Sequence, residues 1–305
     1  MSTLRKYQFD HRTVVQKAQM FFSSSGRQTV VVEGEADYRL FRQWLLEKNA
    51  RIENANGKPQ VKLVWEEAKK RGFSSIHCLA DLDYDLVVSD QPIFDDQFIY
   101  VSLEGELATA DAECNDIESA LIRSHALSKV MSQKYRGREL YENFDVRIND
   151  LRERLRVASA SIGAFRAADL RVLKSRGRSA IGGELPIDES FYDANSVFLD
   201  VEILTKALRR SSRAGPGLMD EVIDTASSLT IKHGTGWQLC RGHDLTAMLA
   251  MHVSTGPGAR TVKQYEIEED LRMACELETI RSTRFGARLM SIGQSTGKPV
   301  LGVLP

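Results

Sequence analysis

The feature that most constrains the fold is a pair of short apolar runs, each of which ends in acidic residues. Residues 29–32 precede Glu33, and residues 76–80 precede the acidic segment 81–85. Short runs rich in β-branched residues are typical of strands that are buried on both faces of a parallel sheet. Because open α/β sheets bind ligands at the carboxyl ends of their strands, these carboxylates are predicted to mark a functional site.

The chain around these two runs alternates predicted strands and helices. Further strands are predicted at residues 61–65 and 97–101, and helices at residues 11–22, 37–48 and 66–71. Strands that alternate with helices form a parallel sheet flanked by helices. The fold class is therefore expected to be α/β.

The second half of the chain is predicted to be mostly helical, with helices within residues 119–185, at 200–210 and at 264–288. The predicted division has three parts: an N-terminal helix over residues 1–26, an α/β core over 27–118 and a helical, basic region over 119–305. The last region is expected to supply a substrate surface and a face for a partner or a second copy of the chain.

Charge is distributed unevenly, although the net charge is only −1. Residues 72–118 contain twelve Asp or Glu and no Lys or Arg, whereas residues 119–215 contain eighteen basic and twelve acidic residues. An acidic segment that binds cations, followed by a basic segment that binds a polyanion, would explain this division. Two solvated faces would explain it as well.

Composition excludes several classes of protein. No apolar run approaches the roughly 20 residues that span a membrane, and the first residues carry no secretory signal, so we expect a cytoplasmic protein. The four cysteines form no Cys-x-x-Cys pair and are interpreted as core thiols. Residues 293–298 are one residue short of a nucleotide-binding loop and precede Pro299, so no ATP hydrolysis is expected.

The acidic residues are of the type that binds a hard cation. Asp81, Asp83 and Asp85 alternate at the end of a predicted strand, so their side chains are expected to converge. Crowded carboxylates need a neutralising cation, and oxygen ligands at an open site suit Mg²⁺ or Mn²⁺. Glu33, from the neighbouring strand, would complete this cluster or act as a general base.

A further carboxylate is predicted where the next helix begins. Asn115 or Asp116 is expected to cap this helix, which places Glu118 in its first turn. Glu118 is therefore a candidate ligand for a second ion. Two metal ions can stabilise the attacking and leaving oxygens of a phosphodiester displacement, which favours a nuclease.

Five basic residues follow the acidic segment and are candidates for binding nucleic acid: Arg166, Arg171, Lys174, Arg176 and Arg178. They could contact phosphates, or one of them could stabilise the charge that develops in the transition state. A solvated helix face is an equally good interpretation for each of them alone.

The dipeptide His243-Asp244 follows Gly242 and allows two interpretations. Asp244 would orient the imidazole in a catalytic pair. Alternatively, Asp244 would cap a helix over residues 245–251 while His243 bonds to the backbone. We favour the second, structural interpretation.

Together the acidic motifs resemble those of a known fold. Glu33-Gly34, followed by Asp37 and then by Asp81-x-Asp83-x-Asp85, is similar to the Toprim fold shared by topoisomerases, bacterial primases and the overcoming-lysogenization-defect nucleases. Segments 115–118, 162–166 and 240–245 further resemble the DUF4435 family of Toprim-like proteins. The resemblance extends from about residue 28 to the final helix.

This resemblance implies a function. DUF4435 proteins include the nuclease effector of the PARIS anti-phage system, in which an ABC-type ATPase senses a phage protein and releases the effector. The effector then attacks host RNA, with transfer RNA as a target. The chain is therefore expected to be a Mg²⁺- or Mn²⁺-dependent endonuclease and toxic effector that is restrained by an ATPase and that dimerises when active.

The resemblance also assigns roles to particular residues. Glu33 corresponds to the catalytic glutamate of the family, and Asp81 and Asp83 correspond to its metal-binding pair. Glu118 corresponds to a further acidic position, and Asp85 is an additional candidate ligand. Lys174 is the candidate catalytic lysine because related nucleases use a lysine after the acidic cluster.

Three alternatives remain at this stage. A DNA-cutting nuclease of the overcoming-lysogenization-defect type would have the same chemistry and would differ in its substrate. A non-catalytic acidic module would bind a metal or a basic partner without cleaving anything. A metal-dependent phosphatase would hydrolyse small phosphate esters.

Overall fold

The computed structural model describes residues 10–88, 95–101, 114–135, 143–182, 185–211, 215–255 and 259–302. The acidic residues between positions 102 and 113, which belong to the predicted acidic segment, lie outside these ranges. Within them, the secondary structure confirms an α/β protein with a parallel sheet and a mostly helical second half.

The chain forms two compact units whose boundaries differ from those predicted. The sheet unit comprises Met1–Leu82, Ile93–Glu104 and Glu276–Pro305, and the helical unit comprises Asp83–Pro92 and Gly105–Cys275. The C-terminal residues thus belong with the sheet, whereas the predicted division placed them in the helical region.

In the part of the chain that the structure describes, the sheet has four parallel strands: β1 (Gln28–Val32), β2 (Ala50–Asn54), β3 (Ile76–Asp81) and β4 (Phe98–Val101). Their spatial order is β2-β1-β3-β4. Every residue of β1 is buried, as expected for a central parallel strand. The carboxyl ends of β1 and β3, where Glu33 and Asp81 lie, are therefore side by side.

Thirteen helices are seen in the described ranges: α1 (His11–Ser25), α2 (Glu35–Arg42), α3 (Lys58–Lys70), α4 (Asp85–Val88), α5 (Ile117–Arg123), α6 (His125–Gln133), α7 (Phe144–Arg176), α8 (Val201–Ser211), α9 (Pro216–His233), α10 (Gly242–Ser254), α11 (Gln264–Ala274), α12 (Leu277–Arg281) and α13 (Arg284–Thr296). A short hairpin, β5 (Tyr192–Asp193) with β6 (Phe198–Leu199), and a 3₁₀ turn (Trp237–Leu239) complete the helical unit. As the chain enters this unit, Asp116 caps α5 as predicted.

The prediction of a strand at residues 61–65 is wrong, because these residues lie within α3. Its buried residues Val61, Val64 and Ala68 recur at helical spacing, and Pro59 occupies the first turn, where proline favours helix formation. The second strand is instead β2, which has a buried residue only at its first position. Its sequence consequently carries no apolar run.

Two predicted helices are shorter than expected. α2 ends at Arg42 instead of residue 48. The helix predicted over residues 264–288 is three helices, α11 to α13, because Cys275 and Thr283 have extended backbone conformations. The Thr283 hydroxyl then accepts a hydrogen bond from the Gly286 N–H and begins α13.

The C-terminal helices complete the core of the sheet unit. The rings of Phe41 in α2 and Phe285 in α13 are 4.9 Å apart in an edge-to-face arrangement. Beyond α13, the Leu46 N–H donates to the Val300 carbonyl at 2.9 Å. These contacts are made by residues far apart in sequence, which explains why sequence periodicity did not predict them.

A buried histidine in the sheet is expected to make the protein sensitive to acid. His77 in β3 is 2% exposed, and its Nε2 lies 3.2 Å from the Gln28 side-chain oxygen. Burial lowers the pKa of His77 to about 4. Since the unfolded chain takes up a proton near pH 6.5, the stability gained from a neutral His77 is lost as the pH falls from that value towards 4.

We predict that this histidine alone lowers the free energy of unfolding by about 2 kcal/mol between pH 7 and pH 5. Guanidinium chloride denaturation of the parent and of His77→Leu at both pH values measures the effect. The variant is expected to be less sensitive to this change of pH. An equal loss in both proteins would contradict the prediction.

The remaining expectations about composition concern cysteines and membranes. All four cysteines are buried thiols, as interpreted from the sequence. Among the helices of the described ranges, none combines the length and the apolar character that crossing a membrane requires.

Candidate active site

The sheet unit brings together two of the predicted site residues. The Asp81 N–H, at the end of β3, donates a hydrogen bond of 2.8 Å to Oε1 of Glu33, which follows β1. Parallel pairing of the two strands places their carboxyl ends at the same edge. Glu33 and Asp81 are therefore in contact through the Asp81 backbone N–H, and both residues are partly exposed.

The turn after Glu33 is organised by Asp37. The Gly34 N–H donates to Oδ2 of Asp37 at 3.1 Å, which completes the first turn of α2. An acidic residue in the first turn also favours the helix through its dipole. In this structure Asp37 stabilises the turn that presents Glu33.

A lysine that the sequence analysis missed lies at the same edge. The Gly57 N–H donates to the Glu33 carbonyl at 2.7 Å, and the next residue, Lys58, donates from Nζ to the Leu82 carbonyl at 3.2 Å. The Lys58 ammonium group also lies 5.6 Å from the centre of the Tyr100 ring. A cation is thus held at the carbonyl of Leu82, the residue that follows Asp81.

The sequence feature that could have identified Lys58 is its position directly before Pro59, at the start of α3. Lys58 is followed by proline, and proline in the first helical turn marks a helix start. With α3 recognised, Lys58 would have been placed at the amino end of a helix that follows a strand.

The carboxylates at this edge of the sheet are of the type that binds a hard cation. Glu33 and Asp81 offer hard carboxylate oxygens. Within the described residues, no group of three or more His, Cys, Asp or Glu side chains is arranged to hold a metal ion. Mg²⁺ commonly binds through one or two carboxylates and completes its shell with water and substrate phosphate, so Glu33 and Asp81 are the residues here that could hold it.

The other two residues of the aspartate motif belong to the helical unit. Asp83 is exposed and has a positive φ of 50°, and its N–H donates to the Asn115 carbonyl at 2.8 Å. A left-handed backbone is uncommon for residues other than glycine and marks a turn held by its surroundings. Asp85 is half-buried and begins α4.

Asn115, whose carbonyl accepts the hydrogen bond from Asp83, is followed by the buried residue Asp116. Asp116 accepts hydrogen bonds from the Ser119 N–H at 2.9 Å and from the Gly242 N–H at 2.6 Å. Burial raises the pKa of Asp116, and the nearby charge of Asp83 acts in the same direction. Asp116 therefore fastens the start of α10 to the start of α5.

Glu118 has an arginine as its counter-charge in this structure. Its buried carboxylate forms an ion pair with Arg272 of α11. Burial, followed by the charge of Asp116, raises the pKa of Glu118 to about 7. The ion pair supplies the neutralising charge that a second metal ion was expected to provide, so Glu118 already has a counter-charge in this structure.

Arg166 is placed in the interior of the helical unit, contrary to its predicted role at a nucleic-acid surface. Its guanidinium group forms two hydrogen bonds to Asp244, at 2.8 and 2.7 Å, and the two side chains are 12% and 5% exposed. The expectation that Asp244 caps a helix is also wrong, because α10 begins at Gly242 and the Asp244 carboxylate faces Arg166. A bidentate pair of this kind joins α7 to α10.

The other four predicted basic residues divide into two groups. Arg171 donates to the Val87 carbonyl at 3.0 Å and so fixes the end of α4, shortly after Asp83 and Asp85. Lys174, Arg176 and Arg178 are exposed around the carboxyl end of α7, and Arg176 pairs with Glu221 at 3.1 Å. Only this second group is on the surface as predicted.

His243 has a carboxylate partner that the sequence did not indicate. Its Nδ1 lies 2.7 Å from Oε1 of Glu268, and the bond replaces the expected contact with the backbone. The same Glu268 oxygen accepts hydrogen bonds from Thr246 at 3.0 Å and Gln264 at 2.9 Å. The His243 side chain is 51% exposed, whereas that of Glu268 is 11% exposed.

Gly163 and Gly242 lie at close contacts within the segments that resemble DUF4435 proteins. A Cβ atom at Gly163 would overlap the Leu239 carbonyl, and a Cβ atom at Gly242 would overlap the side chains of Asp116 and Glu118. Glycine is required at such close approaches. Segments 162–166 and 240–245, together with the acidic segment 115–118, therefore pack as one structure in the helical unit.

Comparison with models of protein families gives no match for this sequence, and comparison with curated proteins gives no significant match. The resemblance to Toprim and DUF4435 proteins consequently remains a prediction from the residues.

Proposed function

We propose that the protein is a metal-dependent endonuclease that hydrolyses phosphodiester bonds, with Glu33, Asp81 and Lys58 in its active site. The observation that carries the proposal is the hydrogen bond between the Asp81 N–H and the Glu33 carboxylate, with Lys58 bound at the Leu82 carbonyl beside them. Carboxylates with an adjacent cation at the carboxyl edge of a parallel sheet suit a phosphate ester substrate.

Each residue has a distinct role in this proposal. Asp81 and Glu33 would hold Mg²⁺ or Mn²⁺, and Asp83 follows Asp81 in sequence as a further candidate ligand. A metal ion bound there would supply charge neutralisation for the phosphate and would lower the pKa of a bound water molecule. Glu33 accepts the proton that the attacking water loses, and Lys58 binds a non-bridging phosphate oxygen as negative charge develops on it.

RNA is the favoured substrate and DNA is the alternative. The exposed cations Lys174 and Arg178, and Arg176 when it exchanges Glu221 for a phosphate, would contact the nucleic-acid backbone. In the family resembled, the effector attacks transfer RNA after its release from an ATPase. We propose the same setting here, with an ABC-type ATPase as inhibitory partner and a homodimer as the active form.

The function is tested by incubating the purified full-length chain with bulk transfer RNA and with plasmid DNA, each with Mg²⁺, with Mn²⁺ or with a chelator. Discrete RNA fragments that are absent in the chelator are expected. Cleavage of DNA alone would favour the alternative nuclease. If both substrates remain intact, also after addition of a candidate ATPase and its trigger, the proposed function is wrong.

Loss of the Lys58 ammonium group is predicted to slow cleavage without unfolding the protein. Lys58→Met removes a cation near the reacting phosphate, and removal of one such stabilising donor costs roughly 10²-fold in kcat. Lys62→Met is the matched control, because Lys62 is exposed on the same helix. The rate of each variant is measured by single-turnover RNA cleavage. Equal rates for Lys58→Met and Lys62→Met would show that Lys58 has no role in catalysis.

A further inference from the structure

Exposed arginines of two helices meet at one end of the helical unit. Helix α9 packs on both α7 and α8, and two consecutive carboxylates of α9 each bind an arginine of one neighbour. Nη2 of Arg209, in α8, lies 3.2 Å from Oδ1 of Asp220. Nε of Arg176, in α7, lies 3.1 Å from Oε2 of Glu221. Because Asp220 and Glu221 are adjacent in sequence, the carboxyl ends of α7 and α8 are brought together here.

These helix ends form a basic surface. Its five exposed cations are Lys174, Arg176, Arg178, Arg209 and Arg210. The carboxylates that share the surface, among the described residues of α9, are Asp220, Glu221 and, one turn further along, Asp224. Five positive charges thus stand against three negative ones. A surface with such a surplus attracts a polyanion.

The backbone at Arg178 is fixed although it lies beyond the end of α7. Gly177, with a positive φ of 72°, ends the helix in a left-handed conformation. The buried Asp169 carboxylate then accepts hydrogen bonds from the Ser179 hydroxyl at 2.6 Å and from the Ala180 N–H at 2.7 Å. The dipole of α7 favours cations within its last turn, but it does not account for a cation that is held in place after the helix has ended.

The chemistry of the basic surface suits phosphate. Four of its five cations are arginines, whose planar guanidinium groups donate two parallel hydrogen bonds to a phosphate or a carboxylate. Arg176 and Arg209 already bind carboxylates, which offer oxygens as a phosphate does. Asp220 and Glu221 therefore occupy positions at which phosphate oxygens would bind.

We infer that the helical unit binds the phosphate backbone of a nucleic acid at the basic surface, and that Asp220 and Glu221 compete with phosphates for its arginines. The class of ligand rests on the proposed function. Arg209 and Arg210 join the surface from α8, whose basic residues the sequence analysis did not select. When a nucleic acid binds, Arg209 and Arg176 exchange their carboxylates for phosphates. Both ion pairs are exposed and therefore weak, and the release of counterions from the nucleic acid favours the exchange.

Binding is measured in a chelator, where a metal-dependent nuclease does not cleave. Fluorescence anisotropy of labelled bulk transfer RNA and of a labelled DNA duplex gives the affinity of the full-length chain over a range of salt concentrations, and the two ligands show which nucleic acid is held more tightly. The double variant Arg209→Gln, Arg210→Gln should reduce the slope of log affinity against log salt by about 2. Arg147→Gln should keep the parent slope, because Arg147 is exposed near the start of α7, about 40 Å from Arg176 at the helical rise of about 1.5 Å per residue.

The carboxylates supply a second measurement with the opposite sign. Asp220→Asn releases Arg209 and should raise the affinity for transfer RNA roughly fivefold at low salt. Asp224→Asn is the matched control, because it removes the same charge from an exposed position one turn further along α9, and it should have a smaller effect. The melting temperatures of these variants should stay close to that of the parent, since exposed ion pairs contribute little to stability.

Three results would overturn the inference: a parent that binds neither nucleic acid, a parent-like salt slope in the double arginine variant, or equal affinities of Asp220→Asn and Asp224→Asn. The outcomes also separate this inference from the proposed function. Binding that depends on the basic surface, without cleavage in Mg²⁺ or Mn²⁺, would make the proposed function alone wrong. Cleavage by the parent, with parent-like binding by every variant, would make this inference alone wrong.

Discussion

Replacement of Glu33 by glutamine is expected to lower the rate of RNA cleavage by roughly 10³-fold or more. Glutamine keeps an oxygen that can accept the hydrogen bond from the Asp81 N–H, so the turn after β1 should remain intact. It removes the negative charge that holds the metal ion and the base that accepts the proton of water. Activity should therefore be lost while the fold is preserved.

The matched control is Glu35→Gln, two residues further along. Glu35 is exposed and pairs with Arg39 on the surface of α2, at 3.1 Å. Surface pairs of this kind contribute little to stability. Equal melting temperatures with a selective loss of cleavage in Glu33→Gln are expected, and comparable activity of the two variants would remove Glu33 from the active site.

Loss of Arg166 is expected to produce the largest change in stability. Arg166→Met leaves the Asp244 carboxylate, which is 5% exposed, without its two charge-assisted hydrogen bonds. Removing one partner of a buried ion pair costs about 3–5 kcal/mol, because the other charge stays buried. The free energy of unfolding from guanidinium chloride denaturation should fall by this amount.

Two further proteins test the physical reason for that loss. The double variant Arg166→Met, Asp244→Leu removes both charges and should be more stable than Arg166→Met alone. Arg176→Met breaks an exposed pair on the same helix, with 59% of the arginine side chain accessible, and should change stability by less than about 1 kcal/mol. A similar loss in Arg166→Met and Arg176→Met would contradict the assignment of a buried pair.

The sheet and its carboxylates could be predicted because both depend on local sequence. A run such as residues 29–32 has few alternatives to a buried strand, and the rule for the carboxyl ends of parallel strands then places Glu33 and Asp81 together. The strand β2 escaped prediction because four of its five residues are only partly buried and its sequence contains no apolar run.

The mostly helical character of the helical unit was predictable, but α9 was not predicted and neither were the contacts between the helices. Arg166 meets Asp244, Glu118 meets Arg272, and His243 meets Glu268, all across long sequence separations. The periodicity of apolar residues predicts that a segment is a helix or a strand, but it does not predict which side chains of other elements that segment contacts. Charged residues on α7 therefore looked like a nucleic-acid surface, although Arg166 is buried among other elements of the unit.

The central claim is that cleavage depends on a metal ion held by the carboxylates after β1 and β3. Its most direct test is the rate of RNA cleavage as Mn²⁺ is added back to the chelator-treated full-length chain, for the parent and for Asp81→Asn. The parent should be inactive without metal and should respond to Mn²⁺, whereas Asp81→Asn should need more Mn²⁺ or remain inactive. Cleavage that persists in the chelator, or identical curves for the two proteins, would contradict the account.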